Sequence, residues 1–155
     1  MNAFLPVTRA KWLIGCALAS IAIGAHAQPG GESADELLRD ADAVFKRLDA
    51  GQYAAVWADA APFVKARIKQ DQFAADMQRA RQSVGAVGRR GWAQITRILY
   101  TNSPPLPDGL YANVDYATTL TNGATVFEKL SFRLDDDGRW HLTGYVPRQA
   151  QSDAR

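Results

Sequence analysis

The sequence predicts an α+β domain in which three N-terminal helices pack on one face of a curved, four-stranded antiparallel meander. Two observations carry this reading. Apolar residues recur at helical spacing from Leu37 to Val84. From Tyr111 to Val146 the pattern changes to short runs rich in β-branched and aromatic residues, separated by two glycine-closed turns.

Residues 1–27 read as an export signal. Arg9 and Lys11 give a positive lead, Trp12 to Ile23 is apolar, and Ala25-His26-Ala27 is a small-x-small cleavage site before Gln28. The apolar run falls short of the about 20 residues that span a bilayer, so no membrane span is expected after cleavage. Leu13-Ile14-Gly15-Cys16 is similar to a lipoprotein attachment box. Only Trp12 to Gly15 precede Cys16 as apolar residues, however, against the ~7–15 of a signal core. The mature protein is expected to begin at Gln28 and to be periplasmic or secreted.

Without the leader the charge balance changes. Arg9 and Lys11 are two of the 18 Lys+Arg, and the remainder match the 16 Asp+Glu, all of which lie beyond residue 27. A mature chain of zero net charge carries no nucleic-acid footprint, and Arg89-Arg90 reads as a solvated pair. Cys16, the single cysteine, lies in the leader. The domain must therefore hold together through its core and not through disulfides.

Residues 28–32 read as a mobile lead-in to one domain over 33–147. Ser33-Ala34-Asp35-Glu36 matches a capping box, and Leu37, Leu38, Ala41, Val44, Phe45 and Leu48 follow at helical spacing to a stop at Gly51. Tyr53, Val56, Trp57 and Ala60 make a second stripe, which Pro62 interrupts while opening a further turn through Arg67. Asp71 caps a third helix with Phe73, Met77, Ala80 and Val84 on one face and Arg81 at its margin. Gly85 and Gly88 end the helical region. Trp92–Tyr100 reads as the first strand, its inner face being either Ile95 and Leu99 with Arg97, or Ile98 with Tyr100. A loop with Pro104, Pro105, Pro107 and Asp108-Gly109 precedes the hairpins, and residues 148–155 are expected to form a disordered polar tail.

The remaining strands are Tyr111–Leu120, Thr125–Leu134 and Arg139–Val146, joined through Thr121-Asn122-Gly123 and Asp136-Asp137-Gly138. Loops of two or four residues would set Val126, Leu130 and Phe132 beside Thr119, Asp115 and Asn113, mixing apolar and polar rows on one face. Three-residue loops with a left-handed glycine remove the conflict. Tyr116, Val114 and Ala112 then face Glu128, Leu130 and Phe132. Across the last hairpin Leu134, Phe132, Leu130 and Glu128 face Trp140, Leu142, Gly144 and Val146. Asp115, Lys129, Arg133 and His141 point outward.

Glu128 alone breaks the apolar inner row, and a carboxylate taken from water costs several kcal/mol unless paired or protonated. Two readings follow for Glu128 with Tyr116 and an arginine, with Arg81 the first candidate, Arg97 the second, and Arg89 or Arg90 behind them. One is a general base with a raised pKa; the other is a buried ion pair fixing helices to sheet. No metal site is expected. Asp135-Asp136-Asp137-Gly138 has the residues of a turn and lacks the distal Glu of a calcium loop. His141, the one histidine beyond the leader, cannot supply the three or four ligands of a zinc site, and no nucleophilic triad can be assembled. Tyr53, Trp57, Phe63, Trp92 and Trp140 serve as packing, or Tyr53, Trp57 and Trp140 line a pocket between helices and sheet.

From Leu37 to Pro147 the chain resembles a bacterial exported family known as a domain of unknown function, number four thousand and nineteen. The resemblance rests on Trp57, Arg81-x-x-x-Gly85 followed by Arg89-Arg90, Pro107-Asp108-Gly109-Leu110-Tyr111, Glu128, and Asp137-Gly138-Arg139-Trp140 running into Gly144-Tyr145. It implies export and domain limits, and no activity, cofactor or ligand. A looser similarity reaches the cystatin-like and nuclear-transport-factor-like α+β cone folds, although three helices ahead of all strands departs from the latter. The function expected is a non-catalytic exported module that binds a small ligand or an envelope protein. The alternative is a small cofactor-free enzyme using Glu128. A cavity open beside Glu128 would favour the enzyme, and a sealed Arg–Glu pair the module.

Overall fold

The computed structural model describes residues 33–150. The expected export signal with Cys16, the expected lead-in at 28–32 and residues 151–155 of the expected tail lie outside the described residues. Four helices, not three, precede the sheet: α1 (Ala34–Asp49), α2 (Tyr53–Ala58), α3 (Pro62–Arg67) and α4 (Gln70–Val84). Pro62 is the cause of the extra one. It disfavours helical backbone at the residue before it, and Ala61 is extended at φ −55°, ψ 141°. The stripe that starts at Tyr53 therefore breaks into two helices.

Two caps differ from expectation. Ser33 is the N-cap of α1, but its side chain makes no capping bond; the first turn closes through Leu37 N–H to Ser33 O at 3.4 Å. Asp35 and Glu36 at the start, with Lys46 and Arg47 at the end, still follow the helix dipole. α4 opens after Lys69, so Asp71 lies inside its first turn and caps nothing. Gly85 ends α4 at φ +90°, where side chains are strained.

The strands β1 (Val87–Tyr100), β2 (Gly109–Leu120), β3 (Thr125–Leu134) and β4 (Trp140–Arg148) form an antiparallel meander in chain order. Both turns are three-residue loops. Leu120 N–H bonds Ala124 O at 2.8 Å and Asp135 N–H bonds Arg139 O at 3.0 Å, with Gly123 and Gly138 at φ +84° and +73°. Val114 accordingly opposes Leu130, Tyr116 opposes Glu128, and Phe132 opposes Leu142.

Three features of the strands correct the sequence reading. β1 starts at Val87, five residues before Trp92, because Gly88 and Gly91 mask a strand that backbone pairing with β2 completes. A bulge in β4 advances the register by one beyond Leu142, so Leu130 faces Tyr145 instead of Gly144, and Glu128 faces Pro147 instead of Val146. This turns Tyr145 inward and leaves Val146 47% exposed. β4 also runs on to Arg148, which pairs with Phe127, so the tail starts later than expected.

Val114, Leu130, Phe132 and Leu142 on the sheet meet Leu37, Ala41, Phe45, Leu48, Val56 and Phe73 on the helices in one core. A fully buried side chain of this size contributes about 1.5–3 kcal/mol. Ala60 bridges Leu142 in parallel, and Ala61 N–H reaches Leu142 O at 2.9 Å, which covers the free edge of β4. β1 pairs with β2 alone. Its register sets Ile95, Arg97 and Leu99 on the face of Val114 and Ala112, with Ile98 on the face of Tyr111. Trp92 and Leu99 are nevertheless 58% and 69% exposed, so Trp92 is not core packing.

Candidate functional site

Glu128 is wholly buried. Strand alternation turns it inward, and three donors from three strands meet it there. Arg90 on β1 donates Nε–H to Oε1 at 2.7 Å and Nη2–H to Oε2 at 3.4 Å. Thr118 on β2, itself buried, donates its hydroxyl to Oε1 at 2.6 Å. Tyr145 on β4 donates its hydroxyl to Oε2. Both oxygens are thus occupied from within the fold.

Arg90 continues the network outward. Its Nη1 and Nη2 donate to Asp49, at the end of α1, at 2.6 and 3.0 Å. The guanidinium also lies 4.1 Å above the ring of Phe45. Arg81, the first candidate for Glu128, instead donates to Asp49 Oδ1 at 2.7 Å and to Gly85 O at 2.9 Å. The arginine that meets Glu128 is Arg90, because the early start of β1 brings it opposite Thr118 on the inner face. Arg97 stands opposite Ala112, further along the ladder, and Arg89 is exposed opposite Thr119.

Burial pushes the guanidinium of Arg90 toward deprotonation, but its hydrogen bonds to Asp49 and Glu128 outweigh it and hold its pKa above the ordinary value. Burial likewise pushes the Asp49 carboxyl up, and the bonds from Arg90 and Arg81 overcome that and hold it below the usual carboxylate range. The Tyr145 phenol is raised by burial and by its bond to Glu128. Tyr116 opposes Glu128 but does not bond it. Its hydroxyl is buried without a hydrogen-bond partner, and burial followed by the charge of Asp42 raises its pKa.

A folded-state pKa that is depressed stabilises the fold above the unfolded value, about 3.9 for Asp, and the gain is lost as pH falls through the folded value. Asp49→Asn should therefore lower the urea midpoint at pH 7, and the gap to the parent should close as pH falls below about 4. A gap independent of pH would show that the charge of Asp49 does not contribute.

The aromatic candidates separate. Trp57 donates Nε1–H to Ile68 O at 3.2 Å, and Tyr53 and Trp57 pack against the core. Trp140 is buried with Nε1 unpartnered and borders a recess of about 80 Å³ with Asp40, Arg47, Asp59 and His141. The Asp135–Asp137 turn lines a cleft of about 500 Å³, where Asp135 pairs with Arg133 and Asp137 with His141. His141 places Nδ1 3.1 Å from Asp59 O and Nε2 2.8 Å from Asp137 Oδ2. Among the described residues no three His, Cys, Asp or Glu side chains converge as metal ligands, and no helix is long and apolar enough to cross a membrane.

A further groove of about 300 Å³ lies on the outer sheet face. Tyr100, Tyr111 and Phe63 form its aromatic wall, with ring centroids of 5.2 Å between the tyrosines and 6.4 Å from Tyr111 to Phe63. Asn113, Lys129, Ser131 and Gly144 lie along the strands beneath, with Ser131 Oγ donating to Asn113 Oδ1 at 2.7 Å. Thr118 was readable in advance as inward by alternation from Tyr116. Tyr145 was not, because a strand glycine such as Gly144 permits a bulge without specifying one.

Residues 40–145 match the model of a family described as a protein of unknown function (DUF4019). No curated protein matches the chain.

Proposed function

We propose that this chain, which belongs to the DUF4019 family, is exported and acts as a non-catalytic module that binds a small ligand or an envelope protein. One observation carries the choice against an enzyme. Both oxygens of Glu128 are filled by Arg90, Thr118 and Tyr145, and Glu128 lines none of the recesses described above. A general base must reach the proton it abstracts, and this carboxyl faces donors on all sides. Glu128 ties β1, β2 and β4 together and, through Arg90 and Asp49, joins the sheet to α1.

Substitution separates the two roles. On this reading Glu128→Gln lowers the urea midpoint and leaves ligand affinity of the folded protein unchanged. Ligand affinity or turnover abolished without loss of stability would return Glu128 to an active site. Export has its own test. The intact mass of envelope-derived protein should correspond to a chain beginning at Gln28, and a species retaining residues 1–27 or carrying a lipid on Cys16 would refute it.

A further inference from the structure

The geometry points to the outer-face groove as a binding site for a small organic monoanion with a flat apolar body, such as an aryl carboxylate. This deepens the binding role proposed above and rests on it. The groove residues Asn113, Ser131 and Gly144 belong to the strand row opposite to that of Glu128, so this site is separate from the Glu128 network.

Three features converge. The first is size and character. About 300 Å³ walled by Tyr100, Tyr111 and Phe63 lies at the lower end of the roughly 300–1,000 Å³ of ligand pockets, which combine apolar walls with a few polar groups. The rings meet edge to face, and an aromatic ligand can extend that arrangement.

The second is charge. Lys129 is half-buried at the groove, and no hydrogen bond or ion pair with the described residues holds its ammonium. The carboxylate directly across the ladder, Asp115, is taken by Arg148. Arg133, the other cation of that row on β3, is taken by Asp135. One positive charge is therefore unmatched beside the aromatic wall, and it fits one anionic group.

The third is Gly144. A glycine inside a strand weakens it and often marks a bulge or a close approach by a ligand or another backbone. Gly144 has no positive φ, and a Cβ built on it would meet nothing within 4 Å. Neither a left-handed backbone nor crowding requires glycine there, although it adjoins the β4 bulge. Its missing side chain does keep the groove open, since Gly144 pairs with Ser131 on the outer row.

The test uses 2-naphthoate and its neutral isostere 2-naphthamide, titrated by fluorescence against the protein and three variants. Lys129→Met keeps the stem and removes the charge. Gly144→Leu fills the groove and should leave the urea midpoint unchanged. Naphthoate should bind saturably, and Lys129→Met should weaken it about tenfold or more, the loss of one charge-assisted hydrogen bond. Naphthamide should change less than about twofold on the same scale, and Gly144→Leu should abolish both. Failure of the parent protein to bind naphthoate, or equal affinity in Lys129→Met, overturns the assignment. Folded Glu128→Gln keeps the parent affinity if the site is on the outer face. If it loses affinity while Lys129→Met does not, the ligand lies at Glu128, and both this assignment and the non-catalytic reading fail.

Discussion

Arg90→Ala should lower the free energy of unfolding by about 3–5 kcal/mol, the usual cost of removing one partner of a buried ion pair. Glu128 would keep Thr118 and Tyr145 but lose its cationic donor, while Asp49 would lose two hydrogen bonds and Phe45 the guanidinium above its ring. Domains of this kind are stable by only about 5–15 kcal/mol, so the variant sits close to unfolding. Glu128→Gln should cost less, because the amide keeps the shape and Arg90 keeps Asp49. The double variant should fall short of the sum by about 1–3 kcal/mol, since one interaction is counted in both singles. Repeating the cycle with Arg81 should give weaker coupling, as Arg81 reaches Asp49 and Gly85 and not Glu128. Urea unfolding measures all of these. Additivity of Arg90 and Glu128 within about 0.5 kcal/mol would mean that the pair is not coupled.

Phe132→Ala should cost about 3–5 kcal/mol by the transfer and cavity contributions of a lost core ring. Phe132 is fully buried, and its cross-strand neighbours are Ala112 and Leu142. Ala112 is too small to fill the space left behind. Phe132 also borders the recess beside Trp140, so its removal would enlarge a void already present. Phe132→Leu, which keeps most of the apolar volume, should lose much less. Equilibrium unfolding of the two variants decides the matter: a Phe132→Ala loss below about 1.5 kcal/mol, the range of volume-conserving swaps, would show that this position does not anchor the sheet to the helices.

Much of the architecture follows from local chemistry alone. Helical spacing from Leu37 to Leu48, the glycines that close both hairpins, and the strand period of two were enough to set Val114 opposite Leu130 and Phe132 opposite Leu142. The same period placed Glu128 inside before any coordinates. These features depend on residues close in sequence, where turn geometry and alternation leave few options. Pro62 marks a break in the stripe from Tyr53, and that break yields one helix more than the three expected.

The partners of Glu128 were decided by contacts that no local pattern encodes. Which arginine reaches it depends on where β1 begins, and pairing with β2 overrides the poor strand propensity of Gly88-Arg89-Arg90-Gly91. Whether Tyr145 points in or out depends on one extra residue in β4, a change too small to alter composition or spacing but sufficient to reverse the faces beyond it. The outer groove has the same origin. Phe63, Tyr100 and Tyr111 come from α3, β1 and β2, and Lys129 beside them is an ordinary surface lysine until the pairing of Asp115 with Arg148 leaves its charge unmatched. Sequence by itself determined the facing rows of β2 and β3 and the buried carboxyl; tertiary structure alone decided what meets them, because register between distant segments is set by packing over the whole sheet.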